Sequence, residues 1–258
     1  MILVTTEVRK IVLGLVLGLV LGLALAAACI LPAAAQEQHR GFYTPPAADA
    51  IHPVVAEHGM VVAQEKIAAG VGADVLRRGG NAVDAAVATG FAMAVTYPRA
   101  GNIGGGGFMV IHSRERGEDV TIDYRETAPA ATTPGIFLGP DGKPDIARSR
   151  DSALGIGVPG TVAGLTLALE KYGSGKFTLA ELLKPAIALA NDGFVVTDDV
   201  ADTMPEERQR LARWPSATKI FSGKDGATLR DGDLLVQADL ATTLSAIAEQ
   251  GPRGFYQG

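Results

Sequence analysis

Gly101-Asn-Ile-Gly-Gly-Gly-Gly-Phe-Met-Val-Ile-His112, followed after a polar turn by Asp119-Val-Thr-Ile-Asp-Tyr-Arg-Glu-Thr-Ala-Pro129, is the stretch on which the reading of this 258-residue chain depends. Four successive glycines have no side chains to pack and each loses backbone entropy on folding. A sequence keeps them where the main chain turns sharply or lies against another surface. Phe108–His112 reads as a strand, Ser113–Glu118 as a turn, and the alternation from Asp119 to Arg125 as a second strand, so the spacing predicts a hairpin that carries Arg125 at its end. A guanidinium there presents a planar fork suited to a carboxylate. A glycine-lined hollow beside such a fork suggests a small acidic ligand, while a structural ion pair between Arg125 and Glu126 is the competing reading.

Upstream of this stretch, Met60-Val-Val-Ala63 is a short apolar run of the kind found in buried strands. Ile67, Val71 and Val75 then recur at helical spacing until Gly79-Gly80. Asn81 can cap a second helix whose body, Ala82–Val95, is apolar on nearly every face apart from Asp84; a helix of that kind is buried between layers, and Pro98 ends it. Downstream, Thr132–Ser152 is punctuated by Pro and Gly and reads as a surface excursion. Thr161 is expected to cap a helix reaching Tyr172. Thr178 and Glu181 have capping-box spacing, Pro185 is expected to kink or restart that helix, and Gly193 to close it. Ala201–Trp214 is polar with Trp214 as a lone anchor, and a last helix spans Leu240–Glu249. No internal repeat is present, and the mixture of segments predicts a layered α/β or α+β architecture.

The first 35 residues form a separate unit. Arg9 and Lys10 precede the apolar run Ile11–Leu31, and Ala33-Ala34-Ala35 offers small residues for cleavage before Gln36, which is the pattern of an export signal; an uncleaved membrane anchor is the alternative. The only cysteine, Cys29, lies inside it, so no disulfide is expected in the exported part. Gln36–Pro53 lacks periodicity and is expected to be a loose arm, with order beginning near Gly59. The sequence carries 23 basic and 28 acidic residues, of which the first 35 positions hold only Glu7, Arg9 and Lys10. No basic cluster stands out, so nucleic acid is not an expected partner.

The motifs for other chemistries fail on their own terms. A Walker loop needs a Gly-Lys followed by Ser or Thr, and the glycine run has no lysine; Gly175-Lys176-Phe177 lacks the hydroxyl. A dinucleotide loop follows a strand and opens a helix, whereas this run follows a helix and opens a strand. His39, His52, His58 and His112 show no ligand spacing, and Asp231-Gly-Asp233 reads as a turn rather than a calcium loop, so no metal or other cofactor is expected. Gly173-Ser174-Gly175 lacks the spacing of a serine elbow. Turn and packing roles account for Thr132-Thr133 and Thr242-Thr243, so no residue of the chain stands out as a nucleophile.

Several of these pieces occur together in one family. Gly79-Gly-Asn-Ala-Val-Asp-Ala-Ala-Val87, Gly101–Met109, Asp123-Tyr-Arg-Glu-Thr-Ala-Pro129, Val158-Pro-Gly-Thr-Val-Ala-Gly164, Pro185–Val195 and Gly254-Phe-Tyr-Gln-Gly258 resemble, in order, the γ-glutamyltransferases, a family of N-terminal-nucleophile hydrolases. The resemblance covers the chain from about Gly59 onward, as the amino-terminal part of the large subunit. It implies an α+β fold, part of a four-layer αββα sandwich. It further implies a precursor that cuts itself to expose a threonine nucleophile, with the γ-glutamyl group of glutathione or a related compound passing to water or to an acceptor amino acid or peptide. In that family the arginine of the Arg-Glu-x-Ala-Pro motif, here Arg125, holds the donor's α-carboxylate. Threonine, cleavage site and oxyanion-hole glycines would all lie downstream of Gly258, along with the small subunit, which implies no catalytic residue within the chain and little activity for it alone. A periplasmic or secreted location follows from the signal, which would be the only membrane contact. A partial sandwich leaves an apolar face and sheet edges uncovered, so the chain alone is expected to be unstable or to associate. Related cephalosporin acylases and poly-γ-glutamate-processing enzymes, a catalytically inactive remnant, and a non-catalytic exported binding or scaffold protein are the alternatives.

Overall fold

Asn81 sets the central element. Its side chain accepts from the amides of Val83 and Asp84 while the Asp84 carboxylate accepts from the Asn81 amide at 2.8 Å, a reciprocal cap that starts a helix over Ala82–Thr96. The computed structural model describes residues 54–223 and 225–257, and this helix is their core. Val87, Ala88, Phe91, Ala92 and Val95 are all fully buried, as the all-round apolar pattern requires. A side chain of the size of Phe91 stabilises by about 1.5–3 kcal/mol when so enclosed.

In chain order the helices are α1 (Lys66–Arg77), α2 (Ala82–Thr96), α3 (Ile146–Arg150), α4 (Thr161–Tyr172), α5 (Leu179–Asp192), α6 (Asp198–Leu211), α7 (Pro215–Ile220), α8 (Ala238–Gln250) and α9 (Arg253–Tyr256). The strands are β1 (Phe108–Ser113), β2 (Glu118–Asp123), β3 (Phe194–Val195) and β4 (Leu234–Leu235), forming two antiparallel pairs, β1 with β2 and β3 with β4. The fold is therefore α+β, with helices dominating and strands paired locally. Helix α2 packs against α1, α4 and α5; α5 in turn packs against α8, and α8 against α9. Gln237 fastens this stack by donating from its amide to Ala190 O and from its side chain to Val95 O, both at 2.8 Å.

The expected hairpin forms, with Phe108 opposite Asp123 and Ser113 opposite Glu118, so both ends of the expected turn are paired strand residues. Met109 and Ile111 pack toward the core with Ile122, while Phe108 and Val110 on the other face are 59% and 77% exposed. The capping box at Thr178 and Glu181 forms, and Gly193 closes α5 at φ +87°, a left-handed conformation that favours glycine. Thr132–Ser152 contains the short α3 and no buried residue, in keeping with a surface excursion.

Five expectations are corrected. Met60–Ala63 forms no strand and has no strand partner among the described residues, since an apolar run becomes a strand only beside another edge. Strand β2 stops at Asp123, so Arg125 lies beyond it. Thr161 is the first helical residue and not the cap, because Gly160 occupies that position and the Thr161 hydroxyl is committed elsewhere. Pro185 does not restart α5, which is continuous over Leu179–Asp192, packing of Leu182, Leu183, Ala186 and Ala190 outweighing one missing amide. Trp214 is 53% exposed and is not among the side chains packed on the core. The export signal and most of the arm fall outside the described residues.

Candidate functional site

Three segments meet around Arg125. The hairpin ladder runs one step past β2, with Tyr124 N–H donating to Gly107 O at 3.0 Å and Gly107 N–H to Tyr124 O at 3.3 Å. Beyond it the chain turns, and the Asp123 carboxylate accepts from the Arg125 amide at 3.0 Å. Thr127 then pairs with Val158 in an isolated antiparallel bridge whose two bonds measure 3.2 and 2.8 Å. Residues 158–161 thus run beside the Arg125 segment, and Gly160 and Thr161 both donate to Gly105 O, at 2.7 and 3.1 Å. Each segment is held by the other two.

Glycine makes these approaches possible. A methyl on Gly106 would stand 2.5 Å from Tyr124 O, 2.7 Å from Glu126 N and 2.8 Å from the Arg125 Cα, all backbone atoms. A methyl on Gly160 would strike the Tyr124 carbonyl, and one on Gly164 the Tyr124 side chain. The Tyr124 ring is accordingly clamped between Gly107 and α4, and burial raises its phenol above the ordinary value. Within the glycine loop, Asn102 Oδ1 accepts from Gly105 N at 2.8 Å and from the Thr161 hydroxyl at 3.0 Å, while Asn102 Nδ2 donates to Ala100 O.

On this frame the Arg125 side chain is exposed and, among the described residues, has neither an ion-pair nor a hydrogen-bond partner. Glu126 is exposed as well and makes no ion pair with its neighbour; the Glu126 Cβ and Cγ instead lie where a methyl on Gly157 would point. The competing reading, a structural Arg125–Glu126 bridge, is therefore not what the geometry contains. A fixed backbone carrying a free guanidinium can take a carboxylate in two parallel N–H···O bonds.

The remaining candidates lie elsewhere. His58 stands 4.0 Å from Glu57, and His112 pairs with Asp119 at 2.7 Å across the hairpin; His39 and His52 are outside the described residues. Thr242 and Thr243 bond back to Ala238 O and Asp239 O within α8, and Asp233 closes a turn onto Arg230. The Ser174 amide donates to Asp84 Oδ1 at 3.1 Å, so Ser174 seals the buried cap. Sequence reading missed Asn102 as the organiser of the glycine loop. An amide-bearing residue set among glycines is a signal for such a role, but its partner Thr161 is 59 positions away.

Residues 68–258 match the family model described as Gamma-glutamyltranspeptidase. The chain is 49% identical over 210 residues to a glutathione hydrolase proenzyme of Escherichia coli, covering 81% of this chain and 36% of that protein. Among solved structures it resembles the γ-glutamyltranspeptidase of Helicobacter pylori, at 45% identity with a TM-score of 0.76 over 80% of this chain and 58% of that one. It also resembles that of Pseudomonas nitroreducens complexed with L-DON, at 41% identity and a TM-score of 0.70 over 79% and 58%. The chain spans about a third of the length of the curated relatives it matches.

Proposed function

Since the chain belongs to the gamma-glutamyltranspeptidase family, we propose that it forms the amino-terminal part of the large subunit of an exported γ-glutamyltransferase acting on glutathione and related γ-glutamyl compounds. Its own contribution to the site is Arg125, which binds the α-carboxylate of the donor. The attacking threonine and the small subunit belong to the part of the relatives' length that these residues do not span. In that assembly the hairpin and helices are one side of a four-layer αββα sandwich, with the exposed Phe108 and Val110 facing the second sheet. Residues 1–35 act as the signal that sends the protein to the periplasm or beyond, residues 36–58 as a linking arm, and residues 59–258 as the incomplete large-subunit domain.

The chemistry divides between the two parts. Arg125 anchors one end of the donor, and the γ-carbonyl then lies at a fixed distance from it, set by the two methylenes of the glutamyl chain. The threonine hydroxyl attacks that carbonyl, its proton passes through its own α-amino group or a water to the departing nitrogen, and the C–N bond breaks to release the amine and leave the ester. Water or an acceptor amino acid or peptide then takes the γ-glutamyl group from the ester. Fixing the carboxylate contributes by orientation, since a near-attack geometry tolerates little displacement.

The observation that carries this reading is the exposed, unpaired Arg125 guanidinium on a backbone locked by Gly106, Asp123 and the Thr127–Val158 bridge. The test is kinetic. In the protein joined to its downstream part, Arg125→Ala leaves the donor carboxylate without its partner, and kcat/KM for γ-glutamyl-p-nitroanilide is expected to fall by about 2–5 kcal/mol of binding and transition-state energy. 4-Aminobutyryl-p-nitroanilide, which keeps the amino group and lacks only the α-carboxylate, is expected to respond far less. Equal losses on both donors, or no loss on either, sink the assignment, and a wild-type preference for glutaryl-p-nitroanilide, which keeps the carboxylate and lacks the amino group, favours a related acylase.

A further inference from the structure

Gly254-Phe-Tyr-Gln-Gly258 lies 129 or more positions from Arg125, and the site described above gives it no role. Its tyrosine nevertheless reaches the same frame. The Tyr256 hydroxyl donates to Pro159 O at 2.9 Å and accepts from the Ala163 amide at 3.2 Å. Helix α4 begins at Gly160 with no side-chain cap of its own, so one of its free amides is satisfied by a residue from the far end of the chain. Tyr256 is placed by a packed base. Gly254 lies so close to the Ala246 carbonyl of α8 that a methyl there would clash, and Phe255 packs on the core with its ring edge-on to Tyr256 at 5.0 Å.

The carbonyl that Tyr256 holds is one residue before Gly160 and one after Val158. Val158 bridges Thr127, and Gly160 bonds Gly105 and lies against the Tyr124 and Arg125 carbonyls. Residues 158–160 are thus a wall along the backbone of the Arg125 segment, itself bonded to the glycine loop. We infer that Tyr256 is a positioning residue for Arg125: by tying Pro159 and Ala163 together it holds the Val158–Gly160 wall in register and so sets where the guanidinium meets the donor carboxylate. The inference rests on the carboxylate-binding role proposed for Arg125, and it adds a residue that touches no donor.

A double-mutant cycle in the protein joined to its downstream part separates the two ideas. Tyr256→Phe removes one hydroxyl with two bonds, and KM for γ-glutamyl-p-nitroanilide is expected to rise about three- to tenfold, with kcat changing much less. In an Arg125→Ala background the same substitution is expected to add less than about twofold, because the group it positions is gone. If Arg125→Ala alone leaves the γ-glutamyl donor unaffected, the carboxylate role itself fails. If Arg125→Ala acts but the Tyr256→Phe effect is unchanged on top of it, or falls on kcat alone, the positioning inference is overturned. Melting curves on the same preparations check folding. Should Tyr256→Phe not fold, Tyr256→Trp keeps a donor but cannot accept from the Ala163 amide; a raised KM with kcat little changed then supports the inference, and a KM equal to wild type overturns it.

Discussion

Gly106→Ala puts the packing of the glycine loop to a quantitative test. An added Cβ at Gly106 meets three backbone atoms at 2.5–2.8 Å, whereas ordinary contact begins at 3.4 Å. Backbone atoms cannot swing aside as a side-chain tip can, so the Tyr124–Glu126 segment must recede by roughly 0.6–0.9 Å or the loop must lift by as much. Gly106 is not among the positive-φ glycines, so alanine meets only steric resistance there. Overpacking of this kind costs about 1–3 kcal/mol in stability. The larger consequence concerns the site, since Arg125 Cα is one of the three atoms displaced, and a misplacement of about 1 Å can cost around a hundredfold in rate. Gly104→Ala is the control, because its added methyl meets nothing within 4 Å and it too has no positive φ. Urea unfolding and donor kinetics measured on both variants in the protein joined to its downstream part should separate them, with Gly104→Ala close to wild type in both. A Gly106→Ala protein matching Gly104→Ala in unfolding midpoint and in KM for a γ-glutamyl donor would refute the claim that the loop braces Arg125.

Two further expectations concern the helix starts. Asp84 is wholly buried and accepts from the amides of Asn81 and Ser174; Asp84→Ala strands both, which at about 1–3 kcal/mol for each unsatisfied group predicts a loss of about 2–6 kcal/mol. A urea midpoint that moves by less than the equivalent of about 1 kcal/mol contradicts that. Glu181 is held below its ordinary value of 4.5 by the Thr178 amide first and the Thr178 hydroxyl second. A depressed folded-state value means its stabilisation is fully present above that ordinary value and is lost as pH falls through the lower one. Glu181→Gln should therefore flatten the acid limb of a melting-temperature profile taken between about pH 6 and pH 3, and an unchanged limb counts against it.

Local order was legible wherever neighbours in sequence decide it. The Asn81 and Thr178 caps, the apolar wrap of α2, the existence of the hairpin and the closing role of Gly193 all follow from residues within a few positions of one another. Readings failed where a distant element decides. Pro185 has the chemistry to restart α5, yet a helix packed against both α2 and α8 runs on through it and loses little by one absent hydrogen bond. Met60–Ala63 has the composition of a strand without an edge to join. Thr161 has the chemistry of a cap, but its hydroxyl is taken by Asn102.

The same division runs through the site. Sequence by itself determined that glycines stand beside an arginine at the end of a hairpin, because spacing and side-chain chemistry are local properties. It also carried the order of motifs that marks the family. Only the tertiary structure decided that Arg125 is free of Glu126, that Tyr124 is clamped by Gly160 and Gly164, and that Tyr256 caps α4 from 93 positions away. Those arrangements depend on bonds and contacts closed across long loops, where nothing in the local pattern records which distant group will satisfy a free amide or fill the space above a glycine.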